Sequence, residues 1–461
     1  MMRAKRHVGL GAPTGIGKSL IAYLLAKLGG RTVILTSRKG LADQYGDAFP
    51  DIVDIRGHDN YLGDTAYHKQ VERAEEASIV ITNYAYWLAT ARAPRIGKFD
   101  LLVLDEAHGV FDELSNHMSL TLSPVKLANF NISWPDKLGD GVAAWSHWAV
   151  GTGLPRLERV PKGTLSKVES DRYDALHREL QVLSHPKGDW VVEREQDGRQ
   201  AFARISKVWP TDEAEAMLFQ GIGHVLWMSA TLRPKAFTVM GVDMADVAFK
   251  EFPHPFDPAI RPVVWVPTAK MTPERGDMGE AITNWTTRLD QLIGRAPDAL
   301  GLIHTVSYRR AQDFLARSRH NQSGILCTHD SSTTAEQVEW FLQQAPPRVM
   351  VSPVLIAGWD LGGVKWQCIG KLPYPNSSDP LSMARKKIDP DLIPFKVAQD
   401  IVQTAGRIVR GPDWSDAGET WVIDDAIGWF LAQYSEFVPR WFKVQKVSYV
   451  DASKRLWDRT S

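Results

Sequence analysis

Cysteine is nearly absent. The 461 residues hold two, Cys327 and Cys368, both in apolar contexts ("GILCTH" and "KWQCIG"). That excludes a disulfide framework and all but excludes a metal cluster built on thiolates. Net charge is absent too: 54 basic residues balance 54 acidic ones. A neutral total neither favours nor rejects a nucleic-acid partner, because a groove needs local positive charge, not a basic sum. No apolar run is long enough to span a bilayer, so no membrane partner is expected. The start, "MMRAKRHVGLGAPTG", reaches glycine and proline before any signal-type stretch, so no secretion signal is expected. The expected home is a reducing cytoplasm, whether beside the nucleoid or inside a host cell if the gene is a phage's. Low-complexity tracts are missing as well.

At 44% hydrophobic and 23% charged residues, the chain has a globular composition. Its length calls for two or three domains. Tryptophan is abundant, at 17 residues. Most are expected to pack cores and domain contacts, some to stack on bases.

"RHVGLGAPTGIGKSLIAYLLAKLGG" reads as strand, glycine turn, helix and stop. The strand runs from about Arg6 to Leu10. The helix starts near Lys18 and stops at Gly29-Gly30. Between them lies Ala12-Pro13-Thr14-Gly15-Ile16-Gly17-Lys18-Ser19, a phosphate loop with Ala12 in the slot where the usual pattern has glycine. Gly15 and Gly17 let backbone N–H groups turn toward phosphate oxygens, and the helix N-terminus adds its dipole. Lys18 is placed to reach the β- and γ-phosphates of ATP, and the Ser19 hydroxyl to ligate Mg²⁺.

"KFDLLVLDEAHGVFDEL" supplies the partner acids. Phe99 to Leu104 is a continuous apolar run, as a strand buried on both faces should be. It ends in Asp105-Glu106-Ala107-His108. Asp105 is the candidate Mg²⁺ holder, and Glu106 the group that orients the attacking water.

Strand–helix units then recur in two series. The first includes "RTVILTSRKGLADQY", "ASIVITNYAYW" and "VLWMSATL"; the second "ALGLIHTVSYRRAQDFL", "PRVMVSPVLIAGWDLGG" and "AQDIVQTAGRIVRGPDW". That alternation predicts two α/β lobes. In "QTAGRIVR", Arg407 and Arg410 stand three apart; a helix would put them on one face, and their planar forks suit phosphate.

The order APTGIGKS, TSRKGLADQ, DEAH, SAT, AGWD, QTAGRIVR resembles the superfamily 2 helicases, and more narrowly the XPD/DinG type. "FPHPFDPAIRPV" and "KLPYPNSSDP" add to the likeness, which covers most of the chain. The resemblance implies two RecA-like P-loop lobes with parallel sheets and a small, mainly helical, arch-like insertion in the first. The expected boundaries are 1–109 for the first part of lobe 1 (with the remains of a cluster loop at about 50–76), 110–205 for the insertion, 206–262 for the rest of lobe 1, and 263–461 for lobe 2. It further implies that Gln403, Arg407 and Arg410 face the γ-phosphate from the second lobe. His108, Gly358 and Asp360 are expected near the same cleft, with Ser229 and Thr231 linking it to the strand-binding face. The implied activity is ATP-driven 5′→3′ movement on single-stranded or forked DNA. The alternatives are a translocase or remodeller, an RNA-directed enzyme, or a nucleotide-switched binding protein with low turnover.

Two departures stand out. Many relatives of this type hold an iron–sulfur cluster on four cysteines in lobe 1. Here "RGHDNYLGD" keeps the frame, but Gly63 fills the first cysteine slot, and residues 1 to 326 contain no cysteine. No iron–sulfur cluster is expected; His58 and His68 read as surface histidines. Relatives of this type usually carry an adenine-reading segment upstream of the phosphate loop; here the loop comes almost at once, so the expectation is weak base discrimination, a purine stacked on something else, or a truncated start.

Within the insertion, Leu165–Leu183 reads as a helix, and "DWVVEREQDGRQAFARIS" as a hairpin turning at Asp197-Gly198. Trp134, Trp145 and Trp148 fit base stacking, and Trp145 and Trp148, three apart, equally fit a shared buried helix face. The basic, aromatic C-terminal stretch, with Arg440, Lys443, Lys446, Lys454 and Arg455, reads as solvated lysines on a packed helix or as phosphate contacts.

Overall fold

A strand covered on both faces is mostly apolar, and the apolar runs of both series form such strands. In the computed structural model, residues 4–37, 39–91, 95–197, 200–271, 278–354, 361–409 and 411–448 are described. The chain forms β1 His7–Gly11, β2 Thr32–Thr36, β3 Val53–Asp54, β4 Ile79–Asn83 and β5 Leu101–Asp105. An insertion with β6 Leu120–Leu122, β7 Trp190–Asp197 and β8 Gln200–Lys207 follows. The chain then returns to the first sheet with β9 His224–Ser229 and β10 Val247–Glu251. The second sheet takes β11 Val263–Ala269, β12 Leu300–His304, β13 Leu326–Thr328, β14 Arg348–Ser352, β15 Val364–Ile369, β16 Glu419–Asp424 and β17 Val444–Lys446.

The first sheet has the order β10-β1-β9-β5-β2-β4-β3, the second β13-β14-β12-β15-β16-β11-β17. Every pairing in both is parallel. Val33, Leu35, Leu102 and Leu104 feed the core on one face of the first sheet, while Ile34, Leu101 and Val103 feed the core on the other. The two expected α/β lobes are therefore present, each a parallel sheet between helices.

The insertion is a separate layer. Its sheet, β6-β8-β7, is antiparallel. The β7–β8 hairpin pairs Asp197 with Gln200, and the turn itself lies outside the described residues. The Lys167–Ser184 helix begins on a capping box formed by Ser166 and Glu169. Trp145 is fully buried, donates Nε1–H to the Gly139 carbonyl at 2.9 Å, and meets Trp134 and Trp148 edge-on. Trp145 thus takes the buried-face reading, with Trp148 half-buried against it.

The end of the chain differs from the packed helix expected there. Val444–Lys446 is a strand that pairs in parallel with β11 at the edge of the second sheet. Lys454 and Arg455 lie outside the described residues.

The lobes meet over an apolar surface. Phe111, Ala236 and Met240 of lobe 1 belong to one contiguous core with Leu392 and Phe395 of lobe 2. Polar contacts ring it. Lys235 pairs with Asp389 at 2.8 Å, and Lys396 pairs with Asp112. Arg385 is buried; it donates Nε–H to the Val208 carbonyl at 3.0 Å and Nη2–H to the Ser115 hydroxyl.

Candidate nucleotide site between the lobes

The phosphate loop leaves β1 at its carboxyl end. Ala12 is buried and donates its N–H to the Ser229 carbonyl at 3.0 Å, which ties the loop to the end of β9. Pro13 is buried beside it, and Thr14 and Ile16 are half-buried. Gly15 (φ 85°) and Gly17 (φ 83°) are left-handed, and an added Cβ at Gly17 would meet nothing within 4 Å. The loop thus opens outward, as an anion cradle must. Phe256, in the segment joining the lobes, packs its ring on Gly15 so closely that a Cβ there would lie 2.4 Å from it.

The acids stand one strand further in. Because β5 pairs with β9 and β9 with β1, Asp105 and Glu106 come to the same edge as Lys18. Lys18 Nζ is 3.9 Å from Glu106 Oε1. Glu106 itself has φ 52° and ψ 44°, a left-handed conformation that costs a non-glycine residue free energy and is found where function holds it. Burial alone would raise the Glu106 carboxyl. Lys18, the His108 hydrogen bond and charge, and Arg407 reverse this and hold it well below its ordinary value. Asp105 moves the other way, up to about 6, because it is buried and sits beside the Glu106 charge; Lys18 and the Tyr45 hydroxyl oppose that only in part.

Tyr45 is a site residue that motif reading missed. Its hydroxyl donates to Asp105 Oδ2 at 3.0 Å and also interacts with the Ser19 side chain. Tyr84 donates to the Asp105 carbonyl at 3.1 Å. The signal was weak but present: Tyr45 follows β2, which pairs with β5.

A second chain of contacts runs sideways. His108 Nδ1 lies 3.0 Å from Ser229 Oγ and 3.2 Å from Glu106 Oε2. The Glu106 carboxylate can only accept, so Nδ1 is assigned the proton. Ser229 Oγ is 3.3 Å from Thr231 Oγ1, and Gln403 Nε2 of lobe 2 reaches the same Thr231 Oγ1 at 3.5 Å. Glu106, His108, Ser229, Thr231 and Gln403 thus form a line from one lobe to the other.

On the second lobe, the Leu392–Ala405 helix stops at Gly406, and Arg407 lies in the turn beyond it. The helical spacing expected for Arg407 and Arg410 is therefore incorrect: the glycine ends the helix before Arg407. Arg407 still bears on the site, since its charge acts on Glu106. The helix end is held from behind. Gln367 Nε2 donates to the Thr404 carbonyl at 2.7 Å, and the neutral, buried His304 donates to Gln367 Oε1 at 3.1 Å. Gly358, Asp360 and Arg410 lie outside the described residues.

The residues present fit a nucleoside triphosphate with Mg²⁺. The loop offers backbone donors and Lys18, and the Asp105 carboxylate, raised by burial and the Glu106 charge, gains from a cation. In the 50–76 region, Gly63 has φ 88° and ψ 172°, so a cysteine in its place would be strained. His58 pairs with Asp64 at 2.6 Å, and His68 is exposed.

Residues 1–133 match the family model of the DEAD/DEAH box helicases. No curated protein matches the chain. Among solved structures, S. tokodaii Xpd4 aligns with a TM-score of 0.64 at 14% identity, over 97% of this chain and 97% of that one. An XPD in its apo form gives 0.62 at 14%, over 97% and 98%, and a further XPD helicase structure gives 0.64 at 14%, over 97% and 97%. At that identity the likeness shows the fold. The chain has the fold of these XPD structures, as its motif order implied.

Proposed function

We propose that the chain is an ATP- and Mg²⁺-dependent helicase that moves along single-stranded DNA, 5′→3′, by closing and opening its two lobes. The first-lobe match and the fold support a helicase-type ATPase. DNA as the polymer and the direction are carried by the sequence resemblance.

The observation that carries the reading is the line Glu106–His108–Ser229–Thr231–Gln403, with the Arg407 charge acting on the same glutamate. Groups from both lobes converge on one carboxylate beside the phosphate loop. ATP, when bound, supplies the phosphoanhydride that is cleaved, and Mg²⁺ neutralises its oxygens. Lys18 would hold the β- and γ-phosphates, and Ser19 and Asp105 would hold the ion, with Tyr45 orienting both. Glu106, kept ionised by Lys18 and His108, orients the attacking water and accepts its proton. Arg407 stabilises the charge that develops from the second lobe. Loss of the γ-phosphate removes the ligand both lobes share, so the closed state loses its preference.

The test pairs two assays. Single-stranded DNA should raise ATP turnover, and the protein should displace a strand from a fork with a free 5′ tail and not from one with a free 3′ tail. Turnover that responds to RNA alone would replace the polymer. Stimulation by DNA without displacement would leave a translocase.

A further inference from the structure

Residues 252–262 carry the chain from β10 in lobe 1 to β11 in lobe 2. At the start, Phe252 donates its N–H to the carbonyl of Gly11, the end of the strand that leads into the phosphate loop, at 2.8 Å. At the finish, the Ile260 carbonyl accepts the Gly418 N–H at 3.0 Å, and the Pro262 carbonyl accepts the Thr420 N–H of β16 at 2.9 Å. The connection is thus fastened to a different lobe at each end, and Phe256 stands between the fastenings.

Phe256 is itself held on both sides. Its N–H donates to His254 Nδ1 at 3.1 Å, and its carbonyl accepts the Arg261 Nε–H at 3.4 Å. Burial and the nearby Arg261 lower the His254 imidazole to about 4, so the ring stays neutral and keeps that acceptor. The backbone therefore fixes where the Phe256 side chain points, and that side chain is buried.

Its ring serves both lobes at once. The body packs into lobe 2, in one core with Leu300 of β12, Met350 of β14, Val364 of β15, Ile408 and Val409. Ile408 and Val409 directly follow Arg407, just past the end of the Leu392–Ala405 helix. Ile408 is seated in turn on Gly418, where an added Cβ would lie 2.9 Å from its side chain. The tip of the Phe256 ring, Cζ, faces Gly15 of the phosphate loop, and a Cβ there would lie 2.4 Å from it, far inside contact distance. Close-packed apolar groups move between discrete arrangements and deform little. A phosphate in the loop fixes the N–H groups around Gly15. The ring tip must fit the Gly15 backbone so fixed, and the core that carries Ile408 must fit the ring.

We propose that Phe256 is a positioning residue for ATP hydrolysis, its ring linking the filled or empty state of the phosphate loop to the placement of Arg407. The inference rests on the ATPase reading above. It adds an apolar route between the lobes beside the polar line through Thr231 and Gln403.

Steady-state ATPase of the full chain with Phe256 variants tests it. Leucine and methionine match in polarity and nearly in volume but not in reach: leucine stops at Cδ, and methionine extends to Cε. Phe256→Leu should lower turnover at saturating ATP about tenfold, with the KM for ATP within about threefold of wild type. Phe256→Met should keep turnover within about threefold. Phe256→Tyr keeps the ring but sets a hydroxyl at Cζ, against Gly15, so it should lose turnover as the leucine variant does. On the Arg407→Ala background, Phe256→Leu should cost less than about twofold more, since the link then leads to no arginine. Thermal unfolding verifies each fold, and the tyrosine variant decides where the leucine variant does not fold. If wild type hydrolyses ATP and the three variants match one another, or the full leucine loss persists on Arg407→Ala, the ring is packing alone and the inference falls while the ATPase reading stands. If wild type hydrolyses no ATP, both fall.

Discussion

The two halves of the nucleotide site are built to different standards. The lobe 1 half is closed by short, direct contacts: Tyr45 on Asp105 at 3.0 Å and His108 on Ser229 at 3.0 Å. From lobe 2, Gln403 reaches Thr231 at 3.5 Å, and the charge of Arg407 acts on Glu106. On the proposed reading, nucleotide binding belongs to the lobe 1 half, and turnover also needs the lobe 2 half. A motor needs that asymmetry. Were both halves equally tight, hydrolysis would release nothing.

Separating the two halves by mutation gives the largest effects. Lys18→Ala should weaken ATP affinity by ~10²-fold or more, since it leaves buried phosphate charge unpaired, and turnover should vanish with it. Arg407→Ala should cut turnover by ~10²-fold or more while ATP affinity stays within a few-fold. Equilibrium nucleotide titration beside steady-state ATPase decides between the two patterns. Equal loss of affinity and turnover in Arg407→Ala would make that side chain structural and erase the contrast.

Smaller effects sharpen it. Tyr45→Phe removes the hydroxyl that orients Asp105, so the Mg²⁺ concentration for half-maximal turnover should rise about tenfold, within the range for groups that position a metal ligand. Turnover at saturating Mg²⁺ should change little. Across the cleft, Gln403→Ala and Thr231→Val should show a coupling of about 0.5–1.5 kcal/mol in a double-mutant cycle on turnover. Strict additivity would mean the line between the lobes carries no information.

What could be read in advance follows the same divide. The phosphate loop, the DEAH strand and the SAT strand are short local patterns in apolar runs, and their elements appear where the sequence placed them. Tyr45 was missed because its contact with Asp105 depends on which strands become neighbours, not on any local pattern. The turn at Arg407 was misread as helix because arginine spacing was weighed without Gly406. The Val444–Lys446 strand exists only because β11, far earlier in the chain, offers an edge. Trp145 fitted two roles equally until the insertion's core enclosed it.

Lobe docking also carries its own pH dependence, the smallest effect expected here. Asp400 lies on the Leu392–Ala405 helix one turn before Gln403. Burial between the lobes pushes its carboxyl up to about 6; the neighbouring Asp112 adds to the rise, and His108 and Lys396 counter it only in part. A carboxyl raised on folding favours the protonated form in the folded state. Its contribution is therefore fully present below its unfolded value near 4 and is lost as pH rises through about 6. Above that, the docked lobes hold a half-buried charge. Asp400→Asn keeps the shape and removes the charge, so it should match wild type in thermal midpoint near about pH 4.5 and exceed it at about pH 8. The gain should develop between those limits. If the two midpoints differ by the same amount at every pH, the carboxyl does not titrate at the lobe contact, and the cleft's closed state owes nothing to its protonation.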